Sequence, residues 1–229
     1  MKKILILGGS SDIGLELLKK ILVLNKFVIH IHCNTKIIKK DYLKNIKIIK
    51  VDLNKITYKN LLNKFDNDYD IIVNLVGYVS NQSFLNFNID ELNKTLRINS
   101  FIPLMIMRAS LNHMIKNKYG RLVNTSSIGT KFGGGDNTFS YSLSKHVNEF
   151  IPKYIRKLCS KNIIYNTLKI GVINTKFHKK INNKILKKRI NLIPVKKIGS
   201  SDEIAEYIYY LISKNNFIVN ENINITGGE

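Results

Sequence analysis

The feature that most constrains this chain is a regular alternation. Short, near-continuous apolar runs of strand length take turns with amphipathic segments of helix length. ILIL (4–7) leads into a helical pattern from Asp12 to Leu24, and FVIHI (27–31) follows. IKIIKVD (46–52) precedes a polar helix over 57–65, and DIIVNLVG (70–77) precedes a long helix over 88–117 that tolerates an interruption. GRLVNTSS (120–127) comes next, then a helix over 140–160 that Pro152 should kink. IIYNTLKIG (163–171), a helix over 201–213 and NINIT (222–226) complete the pattern. Strands that are apolar on both faces need cover on both faces, which implies parallel pairing with right-handed helical crossovers. The expected fold is α/β: a doubly wound parallel sheet of about seven strands with helices on both faces. Its ligand site belongs at the carboxyl ends of the strands.

The chain has 229 residues, 44% of them hydrophobic, enough for one core; a single domain over 1–229 is expected. No apolar run approaches the ~20 residues that cross a bilayer, so no membrane partner is expected. The opening MKKILILGG reads as a first strand rather than a leader, since its apolar run stops at two glycines. A cytoplasmic protein follows. Cys33 and Cys159 fit no zinc or redox spacing and read as free thiols. The net charge of +21 suggests an anionic partner at first sight. The chain is crowded with Lys, Ile and Asn, however, and its only alanines are Ala109 and Ala205. That skew has the character of compositional drift, and with no nucleic-acid motif present, nucleic acid is not an expected partner.

LGGSSDIG (7–14) follows the first strand directly. Gly8 suits the tight turn and Gly14 suits close packing of helix on strand. Ser10, Ser11 and the free N–H groups of the helix start suit a pyrophosphate. Asp12 falls in the first helical turn, where a carboxylate favours the positive end of the dipole and caps N–H groups. It is expected to stiffen the loop while turned away from phosphate. The usual G-x-G-x-x-G is absent, so a structural turn stays open beside a nucleotide loop; the latter would make the sheet Rossmann-type.

Tyr141 and Lys145 stand four residues apart, on one face of the 140–160 helix. A phenol with a pKa near ~10 is a poor acid–base at neutral pH unless a nearby ammonium and a cationic ligand favour its phenolate. Tyr165/Lys169 and Tyr210/Lys214 share the spacing. The first pair lies on a strand, where such residues are about 13 Å apart. The second has no nearby hydroxyl motif. Only Tyr141 follows a serine pair that ends a buried strand, Ser126-Ser127, and a glycine-rich loop, 129–139.

Together these motifs resemble the short-chain dehydrogenase/reductase family, whose loop is T-G-x-x-x-G-[IL]-G and whose helix carries Tyr-x-x-x-Lys. Leu7 replaces the Thr, which removes one loop-bracing hydrogen bond, and Asp12 replaces the middle Gly. The resemblance runs over essentially the whole chain. It implies that Ile13 joins Ser10 and Ser11 against the cofactor, and that Asp52 and Leu53 cap its adenine. It implies that Asn74, with Gly77, supports the sheet and the adenine ribose. Asn99 matches the asparagine that holds a relay water, and Ser127 the serine that orients the substrate carbonyl. Ile170–Thr175 stands for P-G-x-[IV]-x-T, with Val172, Ile173 and Thr175 toward the nicotinamide. ITGGE (225–229) parallels V-D-G-G. The expected catalytic set is Asn99, Ser127, Tyr141 and Lys145. Family members commonly form tetramers through the long helices and the last strand, so a homotetramer or homodimer is expected.

NAD enzymes of this kind usually end the second strand in an acid, for the ribose hydroxyls. Here that end carries His32, Asn34 and Lys36. NADP(H) is the expected cofactor, with NAD(H) the alternative. A metal at His30 and His32 has too few further ligands. The segment 176–197 holds nine Lys/Arg and no acid, and in the family it forms a lid over the substrate. It points to an anionic substrate or carrier: an acyl-carrier protein, a coenzyme A ester or a nucleotide sugar. The expected reaction is NADPH-dependent reduction of a carbonyl, such as a 3-oxoacyl thioester. A sugar or polyol oxidoreductase and a non-catalytic NADP-binding regulator are the competing readings.

Overall fold

Strand β1 (Lys2–Leu7) pairs with β2 (Phe27–Cys33) on one side and β4 (Ile71–Asn74) on the other, all parallel. The order extends through β3 (Ile46–Lys50), β5 (Gly120–Ser127), β6 (Ile163–Ile170) and β9 (Asn222–Ile225) to give β3-β2-β1-β4-β5-β6-β9. β7 (Ile173–Asn174) and β8 (Gly199–Ser200) form a separate small pair. The structure, a computed structural model, describes residues 1–34, 46–175 and 183–229. Lys36 and residues 176–182 of the expected lid lie outside the described residues.

The two-residue period of each strand divides the core. Leu5, Leu7, Ile72 and Leu122 face one side, where α2 (Tyr58–Lys64) and α4 (Ile102–Asn117) pack. Ile4, Ile6, Ile71, Val73 and Val123 face the other, against α1 (Asp12–Val23) and α8 (Ser201–Ser213). Burial on both faces explains the unbroken apolar runs. Strand order reverses between β1 and β4, which opens the crevice of a doubly wound sheet at their carboxyl ends. No helix among the described residues is long and apolar enough to cross a membrane.

One helix shows the interruption its expectation allowed, and one differs from expectation. The 88–117 helix is α3 (Ile89–Leu96) and α4 joined by a π-helical turn, Arg97–Phe101, which carries Asn99. The 140–160 helix is not kinked but broken. It ends at α5 (Phe139–Val147), and α6 (Lys153–Lys157) begins afresh after Pro152. Pro152 supplies no N–H and keeps Ile151 out of the helical region. Asn148, fully buried, turns its amide to the carbonyls of Asn99 (3.2 Å) and Thr125 (3.1 Å). The described part of the basic 176–197 segment contains α7 (Asn183–Leu192).

Candidate active site

A cavity of about 1260 Å³ runs along the carboxyl ends of the central strands. Gly8, Ser10, Ser11, Asp12 and Ile13 form part of its wall. Gly8 has φ +70°, and a Cβ there would lie 3.0 Å from the Leu75 carbonyl, so the turn needs glycine. A Cβ on Gly14 would meet the Gly9 carbonyl oxygen at 2.5 Å, which is why α1 can start so close to β1. The cap of α1 is Ser11, whose Oγ accepts from Gly14 N at 3.1 Å. Asp12 stands beside it in the first turn of the helix. Asp12 is among the residues that line the cavity.

His32 also departs from expectation. Its Nδ1 accepts from Gly8 N–H (3.2 Å), its Nε2 lies 3.0 Å from the Val51 carbonyl, and its own carbonyl accepts from Gly9 N–H (3.0 Å). The ring is thus neutral, with the proton on Nε2. Burial pushes its pKa below the ordinary value, against the pull of the Val51 hydrogen bond. It lines the cavity, but as a brace for the glycine loop and not as a cation for a 2′-phosphate. It supplies a tie that the absent loop threonine cannot. His30 is likewise committed, its Nδ1 2.9 Å from the Tyr69 hydroxyl. Among the described residues no cluster of three potential metal ligands exists.

Ser127, Tyr141 and Lys145 converge on the cavity. Ser127 lies within hydrogen-bonding reach of the Tyr141 phenol, and its Oγ accepts from Gly129 N (3.2 Å). The Lys145 Nζ is 5.9 Å from the centre of the Tyr141 ring. It donates to the Val76 carbonyl (2.8 Å) and the Thr125 carbonyl (3.2 Å), with Thr125 Oγ1 at 3.3 Å. Burial lowers the Lys145 pKa to about 7. Burial raises the Tyr141 phenol to about 12, and its bond to Ser127 only moderates this. The expected depression of Tyr141 by the lysine is therefore not a property of the protein alone. Desolvation of the phenolate outweighs an ammonium that is itself costly to charge.

Asn99 is fully buried and is not on the cavity wall. Its Oδ1 accepts from Tyr78 N (2.7 Å), and its Nδ2 donates to the Tyr78 carbonyl (2.8 Å) and to Ser144 Oγ (2.8 Å). Its carbonyl accepts from Asn148 (3.2 Å). Through Ser144 it clamps the helix that carries Tyr141 and Lys145. Asn74 is also fully buried and off the wall; it donates to Asn124 Oδ1 (2.8 Å) and ties β4 to β5. Its sheet-supporting role stands and its contact with a ribose does not.

Asn34, Asp52, Leu53, Gly77, Val172 and Thr175 line the cavity. The Asp52 carboxylate accepts from Asn54 N (2.9 Å), which fixes the turn after β3. A dinucleotide fits these residues: a glycine turn that a Cβ would fill, a serine-capped helix start, and a cavity whose wall includes a buried lysine. Residues that sequence reasoning missed include Thr125 beneath Lys145, Asn148 at the helix break, and Arg189 and Glu229 on the wall. Arg189 was hidden in a lysine-rich segment, and Glu229 reaches the site only through the sheet.

A family described as enoyl-(acyl carrier protein) reductase matches residues 50–229. The chain belongs to the short-chain dehydrogenase/reductase family and is an NAD(P)-dependent oxidoreductase. It is 31% identical over 205 residues to a 3-oxoacyl-(acyl-carrier-protein) reductase of Buchnera aphidicola subsp. Baizongia pistaciae, covering 84% of this chain and 81% of that one. It is 27% identical over 191 residues to the reductase of that name from Aquifex aeolicus, covering 80% and 77%. Among solved structures it is similar to a 4-hydroxyisoleucine dehydrogenase complexed with NADH, with TM-score 0.84, 26% identity and coverage of 100% and 98%.

Proposed function

We propose that this chain, as one catalytic unit over 1–229, reduces the carbonyl of a 3-oxoacyl thioester with NADPH. The observation that carries the reading is the convergence of Ser127, Tyr141 and Lys145 on a cavity that also includes the glycine loop. NADPH supplies the hydride when bound. Ser127 holds the substrate oxygen, and Tyr141 gives it a proton. A phenol with its pKa near 12 is fully protonated at neutral pH, so it is loaded for reduction. Lys145 holds Tyr141's surroundings positive and returns its proton, while Asn99 positions the helix that bears both.

NADP(H) over NAD(H) is supported by the absence of an acid after His32 at the end of β2, with Asn34 on the wall. The names of the relatives and the exposed Lys187 and Lys188 of α7 support an acyl-carrier protein or coenzyme A ester. A cytoplasmic homotetramer or homodimer is part of this reading. The test is oxidation of NADPH and of NADH with acetoacetyl thioesters, simple ketones and sugars. Faster turnover of NADPH with thioesters is the expected result. Turnover of sugars alone moves the assignment to a sugar or polyol oxidoreductase, a reading favoured by the ion pair on the cavity wall. Tight NADPH binding with no turnover makes the chain a regulator.

A further inference from the structure

One half-hidden carboxylate has no part in the proton transfer and does not line the cavity. Glu149 follows the cap of α5, and its side chain is 12% exposed. Its Oε1 accepts from Ser126 Oγ (2.5 Å), Thr130 Oγ1 (2.6 Å) and Lys169 Nζ (3.2 Å), and its Oε2 lies 3.5 Å from His146 Nδ1. Burial by itself would raise its pKa, yet the Ser126, Thr130 and Lys169 donors hold it below the usual carboxylate value. The side chain is therefore charged at neutral pH. A largely desolvated charge is costly unless donors satisfy it, and an apolar side chain would fill the same place without that cost.

The donors enclose Ser127. Ser126 precedes it on β5, Thr130 follows it in the 3-10 turn Ile128–Phe132, and Lys169 is the residue opposite Ser126 on β6. Successive strand residues point to opposite faces. Ser126 reaches Glu149, and Ser127 is turned the other way, within reach of the Tyr141 phenol. The single Thr130 hydroxyl proton is shared between Glu149 and the Ser127 carbonyl, which lies 2.9 Å from Thr130 Oγ1. Tyr141 belongs to the helix that Glu149 follows. One carboxylate thus joins the strand that bears Ser127 to the helix that bears Tyr141.

We propose that Glu149 is a positioning residue for the reduction: with Lys169, its carboxylate holds Ser127 where Ser127 and Tyr141 meet the same carbonyl oxygen. This rests on the carbonyl-reductase reading and adds to it a residue that acts only through Ser127.

The test is a double-variant cycle. Glu149→Leu, Ser127→Ala and the two together are compared by kcat and KM on whichever carbonyl compound the native chain reduces fastest. Glu149→Leu should lower kcat at least about tenfold with KM for NADPH unchanged, since a misplacement of about 1 Å can cost about 100-fold. In the Ser127→Ala background the same change should cost less than about twofold, because the group it places is gone. Lys169→Met should give the same pattern at smaller size. Glu149→Gln keeps an acceptor for both hydroxyls and carries the cycle if Glu149→Leu does not fold. Equal losses in both backgrounds, the mark of a general loosening, overturn the inference. Hydrogen exchange gives a readout that needs no substrate. Residues 126–132 should exchange at least about tenfold faster in the Glu149 variant, with the glycine loop 8–14 unchanged. Unchanged exchange over 126–132, or faster exchange over both segments, also overturns it. A native chain that reduces no thioester sinks the thioester reading alone, and the exchange measurement still decides whether Glu149 places Ser127.

Discussion

At the scale of single residues, the site is governed by what burial does to charge. Lys145 reaches about pH 7 because its ammonium is desolvated. If the charged form sustains proton return, kcat/KM for reduction falls as pH rises through about 7, and a pH profile checks this. Tyr141→Phe should lower turnover by at least about 100-fold while leaving NADPH affinity unchanged by fluorescence titration. Full activity in that variant would falsify the assignment of the proton donor. His32 works in the opposite sense. Its folded pKa lies below the ordinary 6.5. Below that pH the unfolded chain takes up a proton that the folded ring refuses. The stability His32 contributes is therefore full above about 6.5 and lost as pH falls toward the folded value. Protonation of Nδ1 would also remove the acceptor for Gly8 N–H. His32→Gln should flatten the acid-side fall in Tm between about pH 7 and pH 5 relative to the native chain. His30, also buried and depressed, is common to both proteins and cancels.

At the scale of elements, the helix that carries Tyr141 and Lys145 is short and held from its sides. Ser144 Oγ donates to the Tyr141 carbonyl (2.7 Å) and accepts from Asn99, and Ser100 Oγ donates to the Ser144 carbonyl (2.7 Å). Asn148 ends the helix by bonding carbonyls from two other elements. Buried polar groups that lose one partner strand the other. Asn99→Ala should thus cost about 1–3 kcal/mol in urea unfolding, and lower kcat more than it raises KM, because it shifts the helix and not a substrate contact. The end of β5, which carries Ser127, is held similarly: Ser126 Oγ and Thr130 Oγ1 both donate to Glu149 Oε1, at 2.5 and 2.6 Å. Glu149 directly follows Asn148, at the end of the helix, and no local pattern announces the bracket.

At the scale of the whole molecule, one cavity spans the glycine loop after β1, the ends of β4, β5 and β6, the lid helix and the turn after β9. A ligand that bridges these elements should stabilise them together. NADPH at about 100 times its Kd should add about 2.7 kcal/mol to unfolding, read as a rise in Tm, with NADH giving less at equal concentration. The sequence by itself determined the strands, the doubly wound sheet and the Ser127, Tyr141 and Lys145 set. Those follow from apolar period, glycine spacing and an i, i+4 pair, all of which are local. It also located the loop around Gly8. Only the tertiary structure decided that His32 braces the loop, that Asn74 and Asn99 are clamps, that the 140–160 helix breaks, and that Glu229 meets Arg189. Each of those depends on a partner dozens of residues away, and on how much water the fold leaves around a polar atom. Neither quantity is written in any short stretch of chain.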